Sequence, residues 1–337
     1  MFKQYAKSAL FSLGGSRFGR FIGRSFRGKG AILCYHRVLP DNRLSNFKNP
    51  NRSMEVSTYQ FEKQLNYIVN KYKVISLDDF LLHIKSNSDS YYLAITFDDG
   101  YIDNYTHALP LLEKYKIPAT IYITTQFPEN KFVLWWYEIW EKINEDNFIQ
   151  MPNKNSFIKM RTKTYSEKRK CFDLLRDILM NATFEDQKRL IDNLMNGCNR
   201  YDSKEQCLNW EKIQKLSKNT LIEIGAHTHG HYRISNLSDV DVMKECSISK
   251  QILEKKIDKE IRHFAFPFGK NIDASIREYN LIKKLNFVSA VTTQEGMVTS
   301  NSSYFSLPRI EISGKDSLHV FMGKINGWSN IFSQFFK

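Results

Sequence analysis

Short apolar segments alternate with amphipathic helical segments along most of the chain, and this alternation restricts the fold more than any other feature. Several of the apolar segments are apolar on both faces, which is typical of parallel strands covered by helices. Alternation of this kind over about 250 residues predicts a (β/α) barrel or a doubly wound sheet. The expected strands are AILCYHRV (31–38), YKVISL (72–77), YYLAITF (91–97), ATIYIT (119–124), TLIEIGAH (220–227), HFAFPF (263–268) and FVSAVTT (287–293). The expected helices are 57–71, 78–86, 103–116, 238–257 and 273–285.

A long segment, 127–215, interrupts this alternation. It contains a tryptophan-rich stretch, WWYEIWEKI (135–143), and a charged helical stretch, SEKRKCFDLLRDILMNATFEDQKRLIDNLM (166–195). We interpret the segment as a helical insertion after the strand at 119–124 that caps or flanks the main domain. The chain has 337 residues, 42% of them hydrophobic, which is enough for one large or two ordinary domains. The expected organisation is a basic arm (1–29), a main domain (30–315) and an amphipathic tail (316–337).

Both ends of the chain are basic and aromatic. Residues 1–30 contain seven basic residues and no acidic one, in a chain with a net charge of +13. Arg17, Arg20 and Arg24 interrupt the apolar run that a cleavable signal peptide needs. The apolar residues of the tail follow a nearly helical period: Val320, Phe321, Ile325, Trp328, Ile331, Phe332, Phe335 and Phe336. Such segments favour binding to an anionic membrane surface. The alternative is that both ends pack together on the main domain.

Several classes of protein are disfavoured by composition. No nucleic-acid recognition motif accompanies the basic charge, so nucleic acid is not an expected partner. No stretch approaches the ~20 consecutive apolar residues of a membrane-spanning helix. The cysteines are odd in number and form no close pair, which predicts reduced thiols in a cytoplasmic protein; they are Cys34, Cys171, Cys198, Cys207 and Cys246. The expected location is therefore the cytoplasm, with peripheral binding to the inner face of the membrane.

Polar residues collect where four of the expected strands end. They are Asp98 and Asp99 after 91–97, His227 after 220–226, His36 near the end of 31–38, and Pro267 within 263–268. Folds built of alternating strands and helices place their active sites at the carboxyl ends of the strands. We therefore expect these side chains to form one catalytic site.

The segment HTHGH (227–231) is consistent with two kinds of metal site. On an extended strand, His227, His229 and His231 would all point to one side and form a three-histidine zinc site. On a helical turn, His227 and His231 would share a face and His229 would point away. One carboxylate would then complete a shell with open positions for water. The spacing alone leaves both arrangements open.

Two motifs carry a resemblance to a known family. TFDDGY (96–101), followed by HTHGH (227–231), is similar to the paired motifs of the polysaccharide deacetylases of carbohydrate esterase family four, the NodB-homology group. The resemblance extends over about 30–312 and includes ILCYHRV, FAFPFG (264–269) and LPRIEI (307–312), which resemble a subgroup associated with surface-polysaccharide synthesis. It implies a distorted (β/α) barrel with the helical insertion.

The resemblance also implies an activity and a set of site residues. One divalent metal ion, often zinc, would be held by Asp99, His227 and His231. Asp98 would be the catalytic base for attack of water on an N-acetyl carbonyl. The oxyanion and substrate contacts would come from the region of Tyr101, Pro267 and Phe268. The implied substrate is an N-acetylated amino sugar in a surface polysaccharide, its precursor or a glycolipid.

The sequence departs from the family pattern in two places. FAFPFG lacks the arginine that commonly precedes the proline, and the late Leu-x-His that supplies the general acid is missing. We predict that Arg309 orients Asp98 and that His36 acts as the acid. Asp103 is expected to cap the helix after the DDG turn.

Two alternative functions are a deformylase or other deacylase of a lipid-linked sugar, and a non-catalytic carbohydrate-binding or assembly protein.

Overall fold

The computed structural model describes residues 2–86, 88–153, 156–195 and 203–335. Cys198 and Phe336 lie outside these residues. The cysteines within them, Cys34, Cys171, Cys207 and Cys246, are free and buried.

Seven parallel strands close into a barrel, which confirms the predicted barrel and not the doubly wound sheet. The strands are β1 (Gly30–Tyr35), β5 (Tyr92–Phe97), β6 (Ala119–Ile123), β9 (Ile222–Ala226), β10 (His263–Ala265), β11 (Ser289–Glu295) and β12 (Leu307–Glu311). Their order is β1-β12-β11-β10-β9-β6-β5, and pairing of β5 with β1 closes the ring. A short strand, β4 (Lys73–Val74), pairs with the start of β5. Because all strands run in one direction, their carboxyl ends meet at one mouth of the barrel.

Helices cover the outside of the barrel. They are α3 (Thr58–Val69), α4 (Leu77–Lys85), α5 (Leu109–Tyr115), α10 (Trp210–Lys218), α11 (Asp239–Ile257) and α12 (Ile276–Lys284). In α3, Phe61, Leu65 and Ile68 recur at helical spacing and are fully buried in the main core. Burial of each such side chain stabilises the fold by about 1.5–3 kcal/mol. A residue next to the helix caps its amino terminus: the Ser57 hydroxyl accepts a hydrogen bond from the Gln60 backbone N–H.

The insertion after β6 has its own core and is not wholly helical. It comprises α6 (Trp135–Glu145), an antiparallel hairpin of β7 (Phe148–Asn153) and β8 (Ser156–Arg161), α7 (Tyr165–Asn181), α8 (Phe184–Met195) and α9 (Ser203–Gln206). The hairpin was not predicted. Trp135, Trp140 and Phe172 lie in the core of the insertion. The helix α10 packs on β9 and belongs to the barrel, so the insertion ends before Trp210.

The two ends of the chain pack against each other. The arm forms α1 (Phe2–Gly14) and α2 (Arg17–Gly23). Separately, a short strand pair, β2 (Arg37–Leu39) and β3 (Glu55–Ser57), follows β1. The tail forms α13 (Leu318–Gly323), a kinked turn at 324–328 and α14 (Ser329–Phe335). Helix α1 lies on α13. The Trp328 indole donates a hydrogen bond of 2.8 Å to the Gly19 carbonyl. In the described part of the chain, every helix is too short or too polar to cross a membrane.

Candidate active site

The DDG turn places two carboxylates at the mouth of the barrel. Strand β5 ends at Phe97, and Asp99 and Gly100 follow with φ values of 74° and 78°. A left-handed backbone is strained for an aspartate, and such strain is found at functional sites. Hydrogen bonds on both sides hold the turn: the Asp98 N–H donates to the Tyr35 carbonyl at 3.0 Å, and the Leu208 N–H donates to the Gly100 carbonyl at 2.9 Å. Both carboxylates are buried.

A second strained turn brings two histidines to Asp99. Strand β9 ends at Ala226, and Thr228 and His231 have φ values of 63° and 56°. The Thr228 hydroxyl accepts a hydrogen bond from the His231 N–H at 3.0 Å. As a result, Nε2 of His227 and Nε2 of His231 lie 3.3 and 3.1 Å from the same oxygen, Oδ1 of Asp99. The other histidine, His229, turns away, with Nδ1 2.8 Å from the Thr125 hydroxyl. The extended three-histidine arrangement therefore does not form.

Asp98 pairs with an arginine from β12, which is separated from β5 by β1 alone. The guanidinium of Arg309, on β12, donates to both carboxylate oxygens at 2.7 and 2.6 Å. Its Nε donates to the Thr292 carbonyl at 2.8 Å, and neither side chain of the pair is more than 3% exposed. Burial alone would raise the pKa of Asp98, but Arg309 outweighs burial and lowers the pKa below its usual value. Arg309 thus makes the contact expected of an orienting residue, although its role in catalysis stays a prediction.

His36 lies next to Asp98, at the junction between β1 and β2. It is half-buried, and its ring, the Cys34 thiol and the Asp98 carboxylate offer donor atoms within 4.8 Å of one another. The His36 carbonyl accepts a hydrogen bond of 2.8 Å from the Asn104 side chain, which fixes the backbone here. A protonated His36 ring would therefore lie close to a substrate group that reacts beside Asp98. The role of His36 as the acid stays a prediction.

Asp103 does not cap the following helix, so that prediction is wrong. Its carboxylate accepts hydrogen bonds from Nε of Arg37 at 2.8 Å and from the Val38 N–H at 2.7 Å. The segment from Asn104 to Ala108 begins as a wide helical turn without a side-chain cap. No local sequence pattern indicates this role of Arg37, because its partner lies 66 positions away.

Comparison with known proteins places the chain in a family. The family model for polysaccharide deacetylase matches residues 85–287. The chain belongs to the polysaccharide deacetylase family. It is therefore a hydrolase that acts on carbon–nitrogen bonds. Poly-β-1,6-N-acetyl-D-glucosamine N-deacetylases of Staphylococcus aureus are 24% identical to it over 304 residues, which cover 86% of this chain and 80% of the relative.

Solved structures of deacetylases share the fold. A Streptococcus pyogenes deacetylase, PplD, in complex with acetate, superposes with a TM-score of 0.59 at 19% identity and covers 89% of this chain and 99% of that one. IcaB from Ammonifex degensii superposes with a TM-score of 0.55 at 16% identity, covering 90% and 97%. These likenesses confirm the barrel of the NodB-homology type.

The Asp99–His227–His231 triad fits a divalent metal ion, which the deacetylases of this family use. Nδ1 of His227 donates a hydrogen bond of 2.8 Å to the Ala265 carbonyl, so the lone pair on Nε2 faces Asp99. Two imidazole nitrogens and one carboxylate oxygen then converge in a site where every side chain is at most 7% exposed. Electron-pair donors this close repel each other unless a proton or a metal ion lies between them. Imidazole and carboxylate are the ligands that zinc-like ions prefer.

The ionisation of Asp99 and His231 matches this donor set, whereas at His227 a metal ion would have to displace a proton. Burial would raise the pKa of Asp99, but hydrogen bonds from His227 and His231 hold it well below its usual range. Burial lowers the pKa of His231 and keeps that ring neutral, as a metal ligand must be. For His227, burial also lowers the pKa, but Asp99 outweighs burial and raises it.

Aromatic rings form the wall of the site beside His231. The centres of the Phe268 and Trp136 rings lie 5.0 and 5.2 Å from the centre of the His231 ring. The Trp136 indole donates a hydrogen bond of 3.0 Å to the Tyr101 hydroxyl. Phe268 has a φ of 61°, and Pro267 before it is buried. The structure therefore brings Tyr101, Pro267 and Phe268 to the site, while their contacts with the oxyanion and the substrate stay predictions.

Proposed function

We propose that this deacetylase removes N-acetyl groups from a β-1,6-linked polymer of N-acetylglucosamine, or from its precursor, with a zinc ion held by Asp99, His227 and His231. The observation that carries the chemistry is the placement of this triad beside the buried Asp98–Arg309 pair. The polymer is suggested by the names of the Staphylococcus aureus relatives. The mouth of the barrel, lined with aromatic rings, suits a sugar, because apolar faces of sugars stack on such rings.

The chain supplies the groups for both proton transfers. A divalent ion, when bound, supplies Lewis acidity toward the amide carbonyl and the attacking water. Asp98 accepts the proton of the water, and Arg309 keeps this carboxylate ionised and correctly turned, although the same contact weakens it as a base. Water oxygen bonds to the carbonyl carbon, the carbon–nitrogen bond breaks, and His36 gives the departing amine a proton. The products are acetate and a free amino sugar.

Release of acetate from defined sugars tests this proposal. Zinc-loaded, full-length protein is incubated with β-1,6-linked oligomers of N-acetylglucosamine, with β-1,4-linked oligomers, and with an N-formyl analogue. We expect acetate and free amines in equal amounts, formed fastest from the β-1,6-linked substrate. Faster hydrolysis of the N-formyl analogue would point to the deformylase alternative. Binding without any turnover would support the non-catalytic alternative.

Two matched substitutions give the assay its control. Asp98→Asn removes the base and should lower kcat by roughly 10²–10⁴-fold with metal content unchanged. Asp258→Asn makes the same change of charge at an exposed position at the far end of α11, where φ is 54° and asparagine is tolerated. It should leave kcat unchanged. Near-normal turnover of Asp98→Asn with metal bound would contradict the mechanism.

We also propose that the enzyme works at an anionic membrane surface. Leu13, Phe18 and Phe21 of the arm are 65%, 75% and 72% exposed, although each is apolar. Arg17 at the start of α2 and Arg24 just after its end are also exposed. Exposed aromatic rings beside cations suit the headgroup region of anionic lipids. The cytoplasmic side of the membrane stays a prediction that rests on the cysteines.

A further inference from the structure

A second cluster of metal-ligand side chains lies at the opposite end of the barrel from the active site. It consists of Asp78 in the first turn of α4, Glu223 near the start of β9 and His263 at the start of β10. Glu223 lies four residues before His227, which directly follows β9, and four residues span about 13 Å along a strand. The two clusters are therefore separate sites on one barrel.

The imidazole of His263 faces two carboxylates at once. Its Nε2 lies 3.2 Å from Oδ1 of Asp78 and 3.1 Å from Oε1 of Glu223. The ring is fully buried, and its Nδ1 lies 2.8 Å from the Ser289 hydroxyl. Despite these short distances, Nε2 forms no aligned hydrogen bond with any group in the described part of the chain. Neither oxygen therefore lies along the direction in which Nε2 points.

The remaining oxygens of both carboxylates are already occupied. Oδ2 of Asp78 accepts a hydrogen bond from Arg262 at 2.9 Å, and Oε2 of Glu223 accepts one from the Thr120 hydroxyl at 3.2 Å. These contacts turn the free oxygens toward His263. Among the described residues, Arg262 is the one arginine or lysine paired with these carboxylates, and it contacts Asp78 only, so the cluster has room for a further positive charge.

A cavity gives an ion access to this cluster. It has a volume of about 250 Å³ and is lined by both carboxylate residues, Thr120, Lys259 and Glu260. The side chains of Asp78 and Glu223 are 35% and 27% exposed, so they are open to solvent on the cavity side while His263 is sealed behind them. At about 30 Å³ of liquid volume per water, the cavity can hold an ion with several waters.

We propose that Asp78, Glu223 and His263 form a second, structural site for a divalent transition-metal ion. Neighbouring ligands bound at about 2.0–2.2 Å from such an ion lie roughly 2.8–3.6 Å apart, from octahedral to tetrahedral geometry, and the two distances from Nε2 fall within this range. One nitrogen and two carboxylate oxygens leave coordination positions for water from the cavity. The ion links α4, β9 and β10 at the end of the barrel opposite the active site.

A proton on Nε2 is the competing explanation. Burial lowers the pKa of His263, but Asp78 and Glu223 outweigh burial and raise it above its usual value. Metal and proton compete for the same lone pair, so the two explanations make opposite predictions about pH. The nearby charged groups that would share in such a titration are Arg262, Lys259 and Glu260.

Zinc stoichiometry of full-length variants tests the proposal. After equilibrium dialysis at neutral pH, we expect about two zinc ions per wild-type chain and about one in His263→Gln or Glu223→Gln. His227→Ala should also bind about one ion, and the double variant His227→Ala/His263→Gln should bind none. Glu260→Gln changes the same charge on an exposed side chain in the same cavity and should keep about two.

Thermal stability gives an independent measurement. Zinc should raise the melting temperature of His227→Ala, whose remaining site is the structural one, and this rise should vanish in the double variant. The proposal is overturned if His227→Ala binds no zinc, or if both Glu223→Gln and His263→Gln keep the wild-type stoichiometry. Stability that falls as pH rises past the His263 pKa, with no zinc effect, would show the proton instead. Loss of the catalytic ion is measured in the His227 variant, and loss of the structural ion is measured in the His263 and Glu223 variants. A wrong assignment of one site is therefore distinguished from a wrong assignment of the other.

Discussion

At the scale of single residues, backbone turns decide which side chains become ligands. The rings of His227 and His231 meet at Asp99 because the chain turns through left-handed conformations at Thr228 and His231. We expect His227→Ala or His231→Ala to lower zinc content by about one ion per chain. His229→Ala should keep the full content, because that ring bonds to Thr125 instead. Elemental analysis after dialysis measures this, and an equal loss from His229→Ala would restore the three-histidine arrangement.

The Asp98–Arg309 pair makes a second prediction at this scale. Both side chains are buried, so Arg309→Ala leaves a carboxylate without its counter-charge and should lower the free energy of unfolding by about 3–5 kcal/mol. Asp98→Asn in the same chain should recover part of the loss, because it removes the unpaired charge. Urea unfolding measures both.

Arg189→Ala is the matched control for this pair. That side chain is 70% exposed and pairs with Asp186 on the surface, so its loss should change the free energy of unfolding by less than about 1 kcal/mol. An Arg309→Ala variant as stable as this control would show that the buried pair contributes nothing to folding.

Residues in short motifs could be predicted, and the contact of Arg309 with Asp98 was expected from comparison with the family pattern, but a long-range partner outside these motifs could not be predicted. Asp99 and the two ligand histidines follow from short motifs next to strands. Arg37 bonds to Asp103 across 66 positions, and no local pattern encodes such a pair. The predicted helix cap at Asp103 was wrong for the same reason. Its carboxylate accepts a hydrogen bond from Val38 on β2, a strand that is distant in sequence.

At the scale of secondary-structure elements, the junction between β1 and β2 sets the position of His36. Arg37 and Val38, the next two residues, are held by the Asp103 carboxylate. Asp103→Asn weakens this hold and should lower kcat roughly ten- to hundred-fold through misplacement of His36, with zinc content unchanged. His36→Ala should lower kcat by roughly 10²–10⁴-fold.

Steady-state kinetics on a β-1,6-linked oligomer measures both effects. Asp239→Asn, whose side chain is 63% exposed, is the control and should behave like the wild type. If His36→Ala turned over normally while Asp103→Asn did not, the acid would have to be another group near Asp98.

Elements with a regular pattern could be predicted from the sequence, and irregular ones could not. The strands β5, β6, β9 and β11 are apolar runs and appear close to where they were expected. Strand β12 was missed because Pro308 and Arg309 interrupt its apolar character, and only the barrel interior gives that arginine a partner. The hairpin β7–β8 was missed because it lies between long helices and has one partner strand only.

At the scale of the whole molecule, one amphipathic pattern is compatible with two kinds of surface. An apolar helical face can be buried against protein or against lipid, and the sequence does not distinguish them. The structure shows packing for part of the arm: Phe11 is buried, with its ring centre 5.9 Å from that of Phe332 in the tail. The exposed Phe18 and Phe21 lie only seven and ten positions further along the chain.

This division determines how membrane binding should be tested. Removal of residues 1–29 would also remove Phe11 and uncover the apolar surface beneath it, so binding and folding would change together. The double substitution Phe18→Ser/Phe21→Ser alters only exposed rings, which are 75% and 72% exposed. Phe47→Ser is the matched control, because that ring is 67% exposed in a loop before β3.

We expect the wild-type protein and Phe47→Ser to float with vesicles of anionic lipid at low salt and to be released in part at high salt, because screening weakens the contribution of Arg17 and Arg24. The double variant should stay in the soluble fraction at low salt, since it lacks the rings that enter the headgroup region. Acetate release from a short soluble oligomer should be equal in all three proteins, which shows that the barrel is intact. Equal flotation of the double variant, or no flotation of the wild type, would rule out the arm as a membrane-binding surface and leave the deacetylase chemistry unaffected.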